Sequence, residues 1–344
     1  MQSQQEKLWV YDAVVPGQTA PPTVVEITTE NISRYASLAQ NPDPRYRDPK
    51  VNQEFSGAMV AMPTMVLSYA PLMRGEIAEN SGFVALERST TARRQTPFAK
   101  CEIRWFQPVQ AGDTITGTQA VLEKYERRGS KFVTFRVQAA NQHGQPVAEF
   151  DYTCIFEYAQ GQRAVPQDRG TAEPSLPSQS KTTDIPAARS LAKFDSISVG
   201  DSMAKLTVSE SQEIMNRKND FRLVQTTGSG SNIHTDEEYA RQNIFGGTVN
   251  SGPATMSYVD QMLELSFPLR AFYSGGRLLM RAIEPFRTGD TVTFQGEITA
   301  KRPHPVSPLS KGGLKGGIVE CRVKGLNQRG DLVSLSDAAL VLPD

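Results

Sequence analysis

Residues 106–114 read FQPVQAGDT and residues 283–291 read IEPFRTGDT, two versions of one Pro-containing turn that ends in Gly-Asp-Thr. In the first, alternating sequence (FVTFRVQAA) leads to Asn141-Gln142-His143-Gly144 and then to VAEFDYTCIFEY. In the second, FQGEITAKR and GIVECRVKG lead to Asn327-Gln328-Arg329-Gly330 and then to LVSLSDAALVL. The Gly-Asp-Thr copies lie 177 residues apart and the Asn-Gln-x-Gly copies 186 apart, so one fold is written twice. Upstream, each copy opens with helix-compatible sequence, ENISRYASLAQ and ESQEIMNRKND, and passes through a polar turn to a small-residue stretch. The clearest helix runs from Pro253 to Leu265, where Met256, Val259, Met262 and Leu263 form one apolar stripe. Proline in its first turn suits a helix start, where an N–H has no intrahelical partner to lose. A helix followed by a meander of alternating strands predicts an α+β unit whose antiparallel sheet wraps the helix.

The chain divides accordingly into a first repeat at 1–160, a linker at 161–187 and a second repeat at 188–344. The linker is rich in Pro, Ser, Gln and charge and shows no period of 2 or 3.6. A length of 344 residues suits two domains, and the formal charge is zero, with 37 basic and 37 acidic side chains. That balance argues against a nucleic-acid partner, whose phosphates call for surplus Lys and Arg, and gives no reason for attraction to an anionic membrane. No apolar run approaches the length of a bilayer span, and the N-terminus lacks the features of a secretory signal, so the expected location is cytoplasmic. Three dispersed cysteines (Cys101, Cys154, Cys321) read as buried small hydrophobes. With three dispersed histidines they make no metal-ligand spacing, and no cofactor is expected.

The stretch 227–240, TGSGSNIHTDEEYA, resembles the motif Gly-Asp-x-Asn-Pro-Ile-His, acidic stretch, Tyr-Ala of the MaoC-like (R)-specific enoyl-thioester hydratases and dehydratases. FGGTVNSG at 245–252 resembles that family's glycine lead-in to the central helix, and NPDPRYRD with PTMVLSYAPL resembles the degenerate first half of its two-repeat members. The resemblance implies a double hot-dog fold, two tandem hot-dog repeats with a long central helix in each. It also implies an acyl thioester of coenzyme A or carrier protein as partner, in a monomeric pseudo-dimer or a homodimer.

It further implies a His and an Asp that activate water for addition to the β-carbon of a 2-enoyl thioester, or remove it in reverse. A backbone N–H at the helix start would polarise the thioester carbonyl. Carried onto this chain, the histidine is His234, the helix-start glycine is Gly252, and the aspartate position holds Ser229, a hydroxyl that is no base at neutral pH without help. The motif's Asn and Pro fall at Ser231 and Asn232, and in the first repeat Tyr46 stands at the histidine position and Asn41 at the aspartate position. Asp260, eight residues into the helix, occupies a position where similar proteins carry a small hydroxyl residue. The expectation is therefore an exchange in which Asp260 supplies the charge and Ser229 a hydrogen bond. Asn232, Gly247, Tyr46 and Asn41 are candidate substrate contacts. Asp236 and Glu238 read as first-turn acids, and SKGGLKGG at 310–317 as a hairpin tip lacking the Gly-Lys-Ser/Thr of a phosphate loop. Arg88, Arg93, Arg94, Arg127, Arg128, Lys301 and Arg302 could meet coenzyme A phosphates or an acidic carrier. The leading expectation is a hydratase or dehydratase. The alternatives are a cyclase or isomerase of a thioester-bound intermediate, and a non-catalytic acyl-binding subunit.

Overall fold

The computed structural model describes residues 6–161, 193–225, 232–303 and 316–343. The expected linker, Ser229, His304 and most of the 310–317 glycine stretch lie outside them.

The first repeat comprises β1 (Thr23–Glu26), α1 (Thr29–Leu38), α2 (Val66–Tyr69), α3 (Arg74–Asn80), β2 (Phe98–Trp105), β3 (Thr114–Arg127), β4 (Ser130–Ala140) and β5 (Pro146–Glu157). The second comprises β6 (Leu206–Ser209), α4 (Gln212–Asp220), α5 (Glu237–Arg241), α6 (Gly252–Glu264), α7 (Arg270–Tyr273), β7 (Arg277–Ala282), β8 (Thr291–Pro303), β9 (Gly316–Asn327) and β10 (Leu332–Pro343). The strand order β1-β3-β4-β5-β2-β7-β10-β9-β8-β6 is a palindrome of the two repeats. They meet at β2 and β7, which pair antiparallel from Lys100 opposite Arg281 to Arg104 opposite Arg277, so one ten-stranded antiparallel sheet crosses the whole chain.

The repeated motifs hold the sheet corners. Gly112 and Gly289 adopt φ of 98° and 80°, which only glycine takes without strain. The aspartate that follows turns the chain back: Asp113 Oδ2 accepts from the N–H of Gln110 (2.8 Å) and Asp290 Oδ2 from that of Arg287 (2.9 Å). The glutamine of Asn-Gln-x-Gly then bridges the two motifs. Gln142 accepts from the N–H of Thr114 (3.1 Å) and donates to Asp113 (3.2 Å), and Gln328 accepts from Thr291 (2.9 Å) and donates to Asp290 (3.1 Å). The two signatures recur together because they bond to each other.

The repeats differ at the central helix. α6 is continuous, started by the Ser251 side chain, which accepts from the N–H of Ala254, and by Pro253 in its first turn. The predicted stripe of Met256, Val259, Met262 and Leu263 is wholly buried, but so are Ser257, Asp260, Gln261 and Glu264. α6 is enclosed by the sheet on one side and the first repeat on the other, so a one-sided amphipathic reading understates its burial. The matching helix of the first repeat is short. A 3-10 turn, Pro63–Met65, runs into α2, which stops at Tyr69 before Ala70-Pro71, and the chain re-enters a helix only at α3. Pro71 lacks the N–H that would continue α2, and its ring disfavours helical geometry at Ala70. The cleft beside this broken helix is where the site lies.

Candidate functional site

His234 sits in the turn that enters α5. Asn232 shapes that turn: its Oδ1 accepts from the backbone N–H of His234 (2.8 Å) and of Thr235 (3.2 Å), while Asp236 caps α5 by accepting from Tyr239 N–H (3.0 Å). Gln212 of α4 ties the turn down, donating to the His234 carbonyl (2.8 Å) and accepting from the Thr248 hydroxyl (2.8 Å). The imidazole Nδ1 lies 2.8 Å from the Val249 carbonyl oxygen. A carbonyl oxygen only accepts, so Nδ1 carries the proton and Nε2 is left with the free lone pair. Burial holds the His234 pKa below its usual value. The bond to Val249 opposes that, and the positive charges of Arg222 and Arg74 add to it, so the ring is neutral at pH 7.

Two cavities meet at His234. One, of about 310 Å³, lies between the repeats, with Leu67, Leu72 and Arg74 from the first, Lys218 and Arg222 from the second, and Ser251 and Pro253 at the start of α6. The other, of about 320 Å³, is walled by Phe98, Phe132, Phe245 and Phe286 and reaches Gly252. His234 and Asn250 line both. Asn250 is therefore a site residue that the sequence reading passed over, and its only signal was its place two residues before the helix-start glycine. Gly252 brings the helix start against β2, where a Cβ on it would lie 2.3 Å from the ring of Phe98. The backbone at the start of α6 is thus laid open on the second cavity, with the helix dipole positive at that end.

The expected partnership of His234 with Asp260 is not assembled. Asp260 lines neither cavity and is fully buried on the face of α6 turned to the first repeat. There its Oδ2 accepts from the backbone N–H (2.9 Å) and hydroxyl (2.6 Å) of Thr64, at the start of the short first-repeat helix. Eight residues along α6 is more than two turns, which carries Asp260 away from the helix start and round to this other face. Asp260 thereby fills the anion-binding helix start of the first repeat. In the second repeat the equivalent position opens on a cavity.

Tyr46 lies in the interface between the repeats and Asn41 inside the first repeat, and neither lines a cavity at His234. The Tyr46 hydroxyl, fully buried, donates to Glu264 Oε2 (2.7 Å), and Asn41 Oδ1 accepts from Asp43 N–H (3.0 Å). Gly247 is buried beneath the loop and lines neither cavity. None of Arg88, Arg93, Arg94, Arg127, Arg128, Lys301 and Arg302 lines either cavity; Arg88 pairs with Glu76 (2.6 Å) and Arg302 with Glu320. Cys101, Cys154 and Cys321 are buried free thiols. Among the described residues no cluster of three His, Cys, Asp or Glu could hold a metal ion, and no helix is long and apolar enough to cross a membrane.

Comparison with solved structures accounts for the palindromic sheet. A MaoC-like dehydratase superposes over 94% of this chain and 98% of its own, at a TM-score of 0.64 and 15% identity. The chain has the double hot-dog fold of the MaoC-like dehydratases. A MaoC-like dehydratase from Phytophthora capsici covers 94% of the chain and 96% of its own (TM-score 0.55, 14% identity). A Mycobacterium tuberculosis protein described as a double hot dog covers 97% and 98% (TM-score 0.57, 14% identity). Residues 15–150 match the family model FAS1-like, dehydratase domain region. A UPF0336 protein of Streptomyces avermitilis is 26% identical over 133 residues, 38% of this chain and 85% of that protein. The family-model match thus falls on the first repeat, the copy in which Tyr46 stands at the position of the motif histidine, while His234 stands in the second.

Proposed function

We propose that this protein is a hydro-lyase that adds water to, or removes it from, an acyl thioester at the β-carbon, with His234 as its proton-transfer group. The observation that carries the reading is the neutral imidazole with its Nδ1 proton held by Val249, set where two cavities meet at the start of α6.

In the dehydration direction, Nε2 takes the proton from the α-carbon and the electron pair moves into the thioester carbonyl. The enolate oxygen that forms is met by the Gly252 N–H and the positive end of the α6 dipole. The imidazolium then returns that proton to the β-hydroxyl as the C–O bond breaks, leaving an enoyl thioester, water and neutral His234. One base on one face of the substrate can serve both transfers, which a syn elimination requires. Val249 holds the ring in a single tautomer throughout. The expected roles of Asp260 and Ser229 are not needed for this sequence: Asp260 is committed to Thr64.

The test is mass spectrometry of a panel of 2-enoyl and 3-hydroxyacyl thioesters incubated with the protein, watching for gain or loss of water. Turnover by the wild type and a loss on the order of 10²- to 10⁴-fold in His234→Gln, with the fold intact by circular dichroism, is the expected result. Undiminished turnover in His234→Gln would overturn it.

A further inference from the structure

The two cavities that meet at His234 differ in charge. Arg74, Lys218 and Arg222 line the cavity between the repeats, and among the described residues no Asp or Glu lines it. The other cavity is aromatic and aliphatic, and among the described residues its one charged lining side chain is Glu284. Two of the three cations are answered from behind: Arg74 pairs with Glu87 (3.1 Å) and Lys218 with Glu210 (2.8 Å). Arg222, exposed at the mouth, is held by the Asn219 side chain (3.0 Å) and the Phe221 carbonyl (2.9 Å). No carboxylate among the described residues lies within ion-pair distance of it, although Asp220 acts on it from further off. Arg222 and Arg74 line the same cavity as His234 and both act on it, so the unanswered charge faces the space that His234 serves.

We propose that this cavity receives an acyl group ending in a carboxylate, so that the substrate is a short dicarboxylic 2-enoyl or 3-hydroxyacyl thioester. The inference rests on the hydro-lyase reading and names its substrate class. Size separates an acyl carboxylate from the other anion such a substrate carries. A sphere of the cavity's volume of about 310 Å³ is about 8 Å across, so an anion inside it is only a few bonds from the carbon that His234 serves. The phosphates of a pantetheine carrier stand at the far end of a long arm. That neutral, partly apolar arm suits the aromatic cavity on the other side of His234. A guanidinium presents paired donors in the plane of a carboxylate, and inside a cleft such a charge-assisted contact is stronger than in water.

The experiment compares two thioesters on the same carrier, a short 2-enoyl chain ending in a carboxylate and the same chain ending in the methyl ester, with wild type and Arg222→Gln. The wild type is expected to favour the free acid by about ten- to a hundred-fold in kcat/KM, mostly through KM. Arg222→Gln should remove most of that preference, read as the ratio of free acid to ester at a pH above the acid limb, where His234 is neutral in both proteins. An equal loss on both substrates would place Arg222 on the carrier and overturn the proposal, as would a wild type that does not discriminate. If neither thioester turns over, the hydro-lyase reading fails separately, and calorimetric binding of the two 3-hydroxyacyl thioesters decides the present question. Tighter, Arg222-dependent binding of the free acid sustains it, and equal binding of the two overturns it.

Discussion

At the scale of single residues, function turns on which proton a side chain holds. His234 is kept neutral by burial and by two nearby cations, so its free-base form persists as the pH falls below the usual histidine value of 6.5. The acid limb of kcat/KM should therefore lie below 6.5, and Arg222→Gln should move it upward, because removing a cation makes the imidazolium less costly. A limb at or above 6.5 in the wild type, read from a pH–rate profile, would exclude His234 as the base. Asp260 gives the contrasting case. Since its oxygen accepts from Thr64 and stays away from both cavities, Asp260→Asn, which keeps an acceptor there, should retain most of the turnover measured under saturating substrate. Abolished turnover in a folded Asp260→Asn protein would return this carboxylate to the mechanism.

At the scale of elements, α6 is placed by the absence of a side chain. Phe98 is held on β2 opposite Cys154, with its ring 5.0 Å from that of Tyr152, and the helix start can reach the cavity only because Gly252 leaves room for that ring. Gly252→Ala should force one of them aside. Overpacking of this kind costs about 1–3 kcal/mol, a fall of several degrees in Tm, with a loss of activity from the displaced N–H. Phe98→Leu in the same chain should recover part of the Tm. An unchanged Tm in Gly252→Ala would show that the approach is not tight. Pro71 acts in the opposite sense on the first repeat, since by ending α2 early it leaves the cleft that α6 and its own helix would otherwise close.

At the scale of the whole molecule, the two repeats are joined by the shared sheet and by a buried charged cluster. Arg45 pairs with Asp43 (2.7 Å), Glu54 (3.1 Å) and Glu264 (3.0 Å), Tyr46 donates to Glu264, and Thr64 donates to Asp260. Asp260 and Glu264, four residues apart on α6, repel each other as anions, and burial pushes both up, Asp260 to about 7. A carboxyl raised on folding holds its proton where the unfolded chain has released it. Its favourable contribution is complete below the unfolded value near 4 and is lost as the pH rises toward and through 7. Thermal unfolding should show the interface loosening from about pH 5 to about pH 8. Glu264→Gln, which cannot ionise, should flatten that trend relative to wild type. A wild-type trend unaltered by Glu264→Gln would mean that the pair does not set it.

The duplication, the sheet corners and the turn that carries His234 were legible in the sequence because they depend on local chemistry. A left-handed glycine, an aspartate closing a turn and an Asx-type bond from Asn232 leave marks within a few residues of one another. The role of Asp260, the interior position of Tyr46, the part of Asn250 and the unequal charge of the two cavities were decided by tertiary structure. Each depends on which side chains the other repeat brings to the same spot. Asp260 could be read as a catalyst as long as Thr64, 196 residues away, was not known to face it. The cations at 74, 218 and 222 became one feature only when the broken helix of the first repeat was laid beside α4 of the second, because a cavity belongs to the surfaces that enclose it and not to any one segment.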